Sequence, residues 1–323
     1  MNLFLNKIRL LKKRNSFLNF FFTIPRNILN IFIGISNQVR FIIFGNTISI
    51  KLNIFKNYHL KKYQKIYKLN KSLKSKKTIK RVQELNREGC VKFVNSLDSK
   101  VLENLKRIVN SYFTDKSKYR VPTITSKTIH ESEKILELQD LLTKEITDTI
   151  NLYYGCAFRI EGISLTRNHA YSKMDPDRDD LMSNVLHHDN FLYSGIRVFV
   201  YLSDNVNKNT GAFRYHNKKN SRRLVRTFGY FKRGFQPKWV INRHNNKKNL
   251  RFFNGNSGDS MIVHTQECLH GASVPKGSSF RDMVQFVIHP APGKQKSLED
   301  LFKEIKINNE RNLQTINLKT GLD

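Results

Sequence analysis

Apolar and polar positions alternate along this chain with two different periods. Between residues 84 and about 160 the apolar residues recur at helical spacing. In "SLDSKVLENLKRIVNSYF", Ser96 or Asp98 can cap a helix whose apolar positions are Val101, Leu102, Leu105, Ile108 and Val109. The segment "SEKILELQDLLTKEITDTINLYY" repeats this pattern. Two amphipathic helices are therefore predicted, and their apolar faces must cover another layer of the protein.

After residue 160 the pattern changes to short segments rich in β-branched and aromatic residues, separated by Gly, Asn, Asp and Pro. These segments are "FRIEGISLTR", "IRVFVYLSD", "GAFRYH", "DSMIVHT" and "MVQFVIHPA". Helices do not alternate with them, which disfavours a parallel sheet. The pattern predicts a mainly β protein with flanking helices, built as a sandwich or a jelly roll.

The formal net charge of +31 is distributed unevenly over the 323 residues. Residues 1–83 hold 19 Lys and Arg and no acid, residues 205–258 hold 14 and no acid, and the remainder holds 24 basic and 26 acidic residues. The basic character therefore belongs to two segments attached to a nearly neutral body. A hydrophobic content of 39% excludes a disordered protein. The three cysteines lack CxxC spacing, which predicts reduced, buried thiols in a cytosol-like compartment: Cys90, Cys156 and Cys268.

The N-terminal 50 residues combine apolar bursts with a basic head. Their longest charge-free run, from Asn27 to Val39, has 13 residues, whereas a membrane span needs roughly 18–20. Two interpretations stay open. The segment is either an interfacial element on an anionic membrane or an acid-poor targeting peptide, or it is a loosely packed extension that shares the composition of the whole chain.

Residues 56–81 are rich in lysine and predict a solvated linker, so the folded domain is expected to begin at about Gln83. The predicted organisation is an extension and linker at 1–82, a folded domain at 83–292 and a C-terminal helix or tail at 293–323. We expect a cytoplasmic protein that its N-terminus attaches to a membrane surface or directs to an organelle.

A candidate metal site begins at "LHHDN", just before a predicted strand. In a strand, residues i and i+2 point to one face, so His187 and Asp189 can converge while His188 points away. His270 follows 81 residues after Asp189, and Arg281 lies eleven residues beyond it. Two neutral imidazoles and one carboxylate suit Fe(II) and leave three coordination positions open. The arginine offers a fork for the carboxylate of a co-substrate that chelates the iron.

Four motifs in this order resemble the phytanoyl-CoA dioxygenase family of iron(II)- and 2-oxoglutarate-dependent oxygenases. They are "HHD" at 187–189, "RVFVYLSDNVNKNTGAFRY" at 197–215, "GDSMIVHTQECLHGAS" at 258–273, and Arg281. The resemblance covers about residues 85–292. It implies a double-stranded β-helix core, which is a cupin-like jelly roll, and a hydroxylase that uses Fe(II), 2-oxoglutarate and O2.

The resemblance also implies a role for each matched residue. Three residues would be iron ligands: His187, Asp189 and His270. Arg281 would bind the distal carboxylate of 2-oxoglutarate. Ser273 would assist Arg281, although the family usually has its serine one position earlier, where this chain has Ala272. The family's usual Pro-Gly-Ser-His turn is replaced by "HNKKNSRR", which leaves the family's turn histidine without a counterpart.

The implied reaction is oxidative decarboxylation of 2-oxoglutarate to succinate and CO2, coupled to hydroxylation of an unactivated C–H bond. Because Asp189 is present, no ligand position is left for a halide, and hydroxylation is favoured over halogenation. The other histidines of the domain are interpreted as structural. His264, six residues before His270, is the closest rival ligand.

The basic segment 205–258 lies between the two halves of the metal motif. It predicts an acidic substrate, such as a CoA or carrier thioester, a nucleotide sugar, or a phosphate-bearing glycan or lipid head group; a solvated basic loop is the alternative.

Two other functions stay open. A nucleic-acid oxidative demethylase would suit the basic segments, but that group typically has a second arginine where this chain has Val287. A non-catalytic protein that binds membrane surfaces is the other.

Overall fold

The computed structural model describes residues 60–65, 75–94, 97–123, 126–170, 186–189, 195–228 and 249–305. Four helices are labelled in chain order: α1 (Lys76–Glu88), α2 (Ser99–Thr114), α3 (Lys144–Tyr154) and α4 (Lys218–Phe228). Residues 60–65 and 298–305 are also helical. The strands are β1 (Cys90–Phe93), β2 (Tyr119–Thr123), β3 (Ser126–Ile129), β4 (Ala157–His169), β5 (Ile196–Tyr201), β6 (Phe213–Tyr215), β7 (Arg251–Phe253), β8 (Ser260–Val263), β9 (His270–Ala272) and β10 (Phe280–Ala291).

Within these described ranges the strands form two antiparallel sheets. The large sheet has the order β1-β8-β5-β10-β4-β3-β2, and the small sheet has the order β7-β6-β9. Strand β10 lies at the centre of the large sheet, between β4 and β5, and β4 and β10 pair over nearly their whole length. The prediction of an antiparallel, mainly β fold with flanking helices is confirmed.

The two faces of the large sheet have different roles. One face carries Leu165, Val284 and Phe286 and belongs to the main hydrophobic core, which the helices cover. On the opposite face Phe199 and Tyr201 join a second core with Phe213, Phe253 and neighbouring residues. Because alternate strand residues point to opposite faces, the second core lies between the two sheets. This arrangement places the small sheet over one end of the large one.

The two predicted helices have different outcomes. Helix α2 begins where expected, because the Asp98 carboxylate accepts hydrogen bonds from the N–H groups of Lys100 and Val101. The prediction of one continuous helix over the second segment is wrong. Two 3-10 helices, Ser132–Lys134 and Leu136–Leu141, come before α3. The buried apolar side chains recur there at every third residue, which matches the 3.0 residues per turn of a 3-10 helix: Ile135, Leu138 and Leu141.

The predicted domain start at about Gln83 falls inside α1. Ser75 caps α1, and Arg81 in its middle forms an ion pair of 2.6 Å with Glu145 on α3. Further upstream, the Gln64 side-chain amide donates to the Tyr154 carbonyl oxygen at 2.7 Å. This segment resembled a linker because lysines cover its outer face while few apolar residues face inward.

The folded body also extends beyond residue 292. In the helical segment 298–305, Leu301, Phe302 and Ile305 are buried in the main core. The proposed N-terminal membrane segment at residues 1–50 lies outside the described residues, and its interpretations remain predictions. Within the described ranges, no helix has the length and apolar character needed to cross a membrane.

Candidate metal centre

The backbone brings the two halves of the metal motif together. The His187 N–H donates to the His270 carbonyl oxygen at 2.8 Å, and the His270 N–H donates to the His187 carbonyl oxygen at 3.0 Å. The Asp189 N–H donates to the Thr265 carbonyl oxygen at 3.1 Å. His187 therefore lies in an isolated antiparallel bridge with the start of β9. Main-chain hydrogen bonds, independent of any metal, fix the separation of the two histidines.

The side chains of His187, Asp189 and His270 converge at this bridge. Their possible ligand atoms all lie within 4.8 Å of one another. Nε2 of His187 is 3.7 Å from Oδ1 of Asp189, and Nε2 of His270 is 3.8 Å from Oδ2. All three residues are buried. In the described part of the chain, no other group of three His, Cys, Asp or Glu residues has an arrangement that can hold a metal ion.

The protonation states of this group fit a metal site. Burial lowers the pKa of His270 to about 3, so its imidazole is neutral near pH 7. Its Nδ1 lies 3.0 Å from the Cys268 carbonyl oxygen, which accepts the ring proton and leaves the Nε2 lone pair toward Asp189. Burial alone would raise the pKa of Asp189, but its interactions with His270 and Arg197 and its hydrogen bond with the Thr265 side chain outweigh burial, and the pKa is lowered. Neutral imidazole and ionised carboxylate are the donors that Fe(II) accepts.

Arg197 is a residue of this site that sequence reasoning missed. Its Nε lies 2.7 Å from Oδ2 of Asp189, and its side chain is largely buried. Arg197 is on β5 and points to the same face as Phe199, whose ring packs against Phe213 at 4.6 Å. The sequence did carry a signal, because an arginine at a buried strand position next to "VFVYL" needs an acidic partner.

The aromatic ring of Phe213, on the small sheet, packs against the metal group. The ring of Phe213 stacks on the ring of His270 with 5.5 Å between centroids, and the rings of His187 and His270 are 4.4 Å apart. These contacts limit rotation of both imidazoles. Main-chain hydrogen bonds and ring packing therefore both fix the positions of the ligand atoms.

Arg281 is completely buried at the start of β10. One of its guanidinium nitrogens donates to the Gly211 carbonyl oxygen. Gly211 has a φ of +97°, and a Cβ at this position would lie 2.9 Å from Cγ of Pro275. Only glycine therefore allows the "TGAF" backbone to approach the arginine this closely.

The charge of Arg281 has no carboxylate partner among the described residues. The adjacent Asp282 points to the other face and pairs with Arg167 at 2.7 Å. The hydroxyl of Tyr201 lies beside the guanidinium, and burial lowers the pKa of Arg281. A buried arginine without an acid is costly unless an anion binds to it. The site can accept the carboxylate of a small molecule.

Ser273 lies directly after β9 and is buried. Its N–H donates to the Ala212 carbonyl oxygen at 2.9 Å. Ala212 follows Gly211, so Ser273 is placed next to the turn that holds Arg281. Its assisting role remains a prediction.

The rival histidine is outside the metal group. His264 is buried, and its N–H donates to the Gly89 carbonyl oxygen at 2.8 Å. Burial also lowers the pKa of His188 to about 3, so His188 is a neutral, buried residue outside the metal group. The three cysteines are separate buried thiols, which agrees with their prediction.

The basic segment is described at residues 205–228 and 249–258 only. Lys218 forms an ion pair with Glu267, and Arg251 pairs with Glu88 at 3.0 Å. The Arg222 side chain, on α4, is 61% exposed and lies 3.8 Å from Glu267. Part of the segment is therefore neutralised by the body, and part of it faces solvent.

Comparisons with known proteins support the fold. No family model matches this sequence, and no curated protein is similar to it. The crystal structure of the epimerase SnoN, in complex with Fe3+, alpha ketoglutarate and nogalamycin RO, is similar with a TM-score of 0.50 and 12% identity, over 68% of this chain and 86% of SnoN. HygX from Streptomyces hygroscopicus, with nickel and 2-oxoglutarate bound, has a TM-score of 0.46, 16% identity and coverage of 66% and 87%. EctD from S. alaskensis, with 2-oxoglutarate and 5-hydroxyectoine, has a TM-score of 0.48, 11% identity and coverage of 73% and 83%.

At these identities the likeness concerns the fold. The resemblance to the phytanoyl-CoA dioxygenase family itself finds no matching family model, and the structural likeness supports the fold alone. The predicted core is confirmed: the chain has the double-stranded β-helix fold that SnoN also has.

Proposed function

We propose that this chain is an iron(II)- and 2-oxoglutarate-dependent oxygenase that hydroxylates an acidic or phosphate-bearing small molecule. The observation that carries the proposal is the convergence of His187, Asp189 and His270 in one buried group. The buried Arg281, which has no carboxylate partner among the described residues, adds a site for an anion in the same barrel.

Each residue has a defined task in this proposal. Three residues would hold iron: His187, Asp189 and His270. Arg281 would hold the distal carboxylate of 2-oxoglutarate, with Ser273 beside it. When bound, iron and 2-oxoglutarate supply an oxidant from O2, as 2-oxoglutarate becomes succinate and CO2 and the substrate C–H becomes C–OH.

The protein itself orients and shields the reactants. Arg197 holds one oxygen of Asp189, so the carboxylate keeps a fixed direction. The Cys268 carbonyl fixes the tautomer of His270. The aromatic rings of Phe199 and Phe213 exclude water from one side of the metal group. SnoN is an epimerase, which shows that this fold is not restricted to hydroxylation. The presence of Asp189 at its ligand position favours hydroxylation over halogenation.

The proposal is tested by anaerobic titration of the purified protein with Fe(II) and 2-oxoglutarate. We expect the weak visible charge-transfer band of the chelate in the wild-type protein. His270→Ala should abolish the band because a ligand is lost, and Arg281→Ala should raise the 2-oxoglutarate concentration that it requires. Ile163→Val, on the opposite face of β4, is the control and should leave the band unchanged. A wild-type protein that binds iron but forms no band would contradict the proposal.

A further inference from the structure

The face of the large sheet that carries Arg281 is apolar at one end and polar at the other. On β5 and β8 it carries Phe199, Tyr201, Met261 and Val263, which pack against the small sheet. On β3, β4 and β10 the same face carries mainly hydroxyl and amide side chains, with the apolar Met283 and Val287 among them. The strand register assigns the polar side chains to these residues: Ser126, Thr128, Ser164, Thr166, Asn168 and Gln285.

The register and the packing both show that these side chains share one face. Gln285 pairs with Ser164 on β4 and with Phe199 on β5, and Phe199 belongs to the core between the sheets. The intervening residues Leu165 and Val284 point into the main core instead. The Thr166 hydroxyl is 3.4 Å from that of Thr128 and 3.3 Å from that of Ser164. The hydroxyls therefore form a continuous ladder across the strands.

The polar side chains of this face are buried or half-buried. Asn168 is 3% exposed, and Gln285 is half-buried. A ligand that covered these amides and hydroxyls without bonding to them would leave them unsatisfied, which is unfavourable. The hydroxyls of the ladder touch one another only at long range and keep acceptor positions available.

The polar face lies beside the metal centre. Gln285 is directly opposite Phe199, whose ring contacts Phe213 under His270. Neighbouring strands are about 4.8 Å apart, so the ladder begins one or two strand spacings from the metal group. Arg281 and Asn168 form the end where the co-substrate is proposed to bind, which leaves Thr128, Ser164, Thr166 and Gln285 for the substrate.

Space is available above this face. Gly162 pairs with Val287 and continues the same row of positions. No atom of the described residues lies within 4 Å of a Cβ placed at Gly162. Thr166, Ser164 and Gln285 are only half-buried. A larger side chain at Gly162 would therefore enter the space instead of clashing with the protein.

We propose that this hydroxyl and amide ladder binds a neutral, polyhydroxylated part of the substrate, namely a glycosyl or polyol group, and presents it to the metal centre. The inference rests on the proposed oxygenase function. It follows from the chemistry of the face, whose hydroxyl and amide groups lie, among the described residues, between the charged side chains of Arg197 and Arg281 and that of Arg120, which is opposite Thr128 at the sheet edge. A fatty acyl chain would leave the amides and hydroxyls buried and unsatisfied. Among acidic substrates, sugar-containing ones are therefore selected over acyl thioesters.

The test compares anionic probes that differ in their reacting part. UDP-glucose and myo-inositol 1-phosphate carry hydroxyl-rich groups, and hexadecanoyl-CoA carries an acyl chain. Binding to the full-length protein loaded with Fe(II) and 2-oxoglutarate is measured anaerobically by calorimetry. We expect a polyol probe to bind and hexadecanoyl-CoA not to bind. Thr166→Val, which keeps shape and removes the hydroxyl, should weaken polyol binding roughly 5- to 10-fold.

Gly162→Phe should abolish polyol binding by filling the space, while the affinity for 2-oxoglutarate and the thermal stability stay unchanged. Ile163→Val, on the core face of the same strand, is the matched control and should bind the probe normally. Binding of hexadecanoyl-CoA that Gly162→Phe blocks would overturn the inference, as would polyol binding that neither variant changes. Absence of polyol binding to protein that shows the chelate band would also overturn it. Absence of the band itself would instead refute the oxygenase function.

Discussion

At the scale of single residues, the candidate centre depends on how charge is balanced in a buried place. Asp189 has Arg197 at 2.7 Å, and the side chains of His187 and His270 face its oxygens. The ion pair compensates the carboxylate before any metal arrives. Arg281 shows the opposite situation, because no carboxylate compensates it within the described residues. The charge of Asp189 is therefore compensated by a protein side chain, whereas the charge of Arg281 is available for a bound anion.

Replacement of Arg197 by Met should lower the free energy of unfolding of the metal-free protein by about 2–3 kcal/mol, because Asp189 would be left as a buried, unpaired charge. Part of the loss should return when Fe(II) is added under anaerobic conditions, since the cation supplies the missing charge. Urea unfolding with and without Fe(II) measures both values.

Arg197→Lys is the control for this experiment, because it keeps a positive charge and should lose less stability. If Arg197→Met lost the same free energy with and without Fe(II), the pair would have no connection with the metal group.

At the scale of elements, α1 joins the helical layer to the large sheet. Arg81 on α1 pairs with Glu145 on α3, donates to the Lys92 carbonyl oxygen at 2.7 Å and lies over the ring of Phe93 at 4.1 Å. One side chain thus connects α1, α3 and β1. The lysines that made this segment look like a linker are on the outer face of a packed helix.

A chain that begins at Gln83 should therefore be less stable than one that begins at residue 58. The shorter chain lacks the Ser75 cap, which contributes about 1 kcal/mol, together with Arg81 and the first two turns of α1. We expect a total loss of about 3 kcal/mol or more in urea unfolding. Equal stability of the two chains would show that the domain does start at Gln83.

Sequence reasoning predicted those features that depend on local periodicity. The i, i+2 spacing of His187 and Asp189 was readable, as was the Asp98 cap of α2. Features that depend on partners distant in the chain were not readable. The ion pair between Arg197 and Asp189 joins two residues whose spacing in the sequence follows no local period, and the break before α3 depends on which core accepts Leu138. Apolar spacing alone does not distinguish 3.0 from 3.6 residues per turn over six positions.

At the scale of the whole molecule, charge is separated from the body of the protein. The excess of basic residues lies in two segments, and the described part of the second is partly paired with Glu88 and Glu267. Arg222 on α4 remains 61% exposed, although it lies 3.8 Å from Glu267. A basic surface of this kind attracts phosphate groups from solution and loses its effect at high salt.

Replacing Arg222 and Arg223 by Ala should therefore weaken binding of inorganic pyrophosphate by about 5-fold at low salt. The turnover of 2-oxoglutarate without substrate should not change, because neither residue contacts the metal group. Calorimetry and a succinate assay measure the two quantities. The double variant Lys100→Ala and Arg107→Ala removes the same charge from α2 and should bind pyrophosphate normally. An equal loss of pyrophosphate affinity in both double variants would show that the effect depends on net charge and not on the position of the arginines.

The bridge between His187 and His270 also sets an order of events during synthesis of the protein. The two histidines are joined by a pair of main-chain hydrogen bonds, yet β5 to β8 lie between them in the chain. A ribosome that has released His187 must still produce β5 to β8 before the second histidine emerges. The nascent chain cannot bring the three residues of the metal group together until β9 has been made. Metal binding is therefore expected late in synthesis, when the barrel is nearly complete.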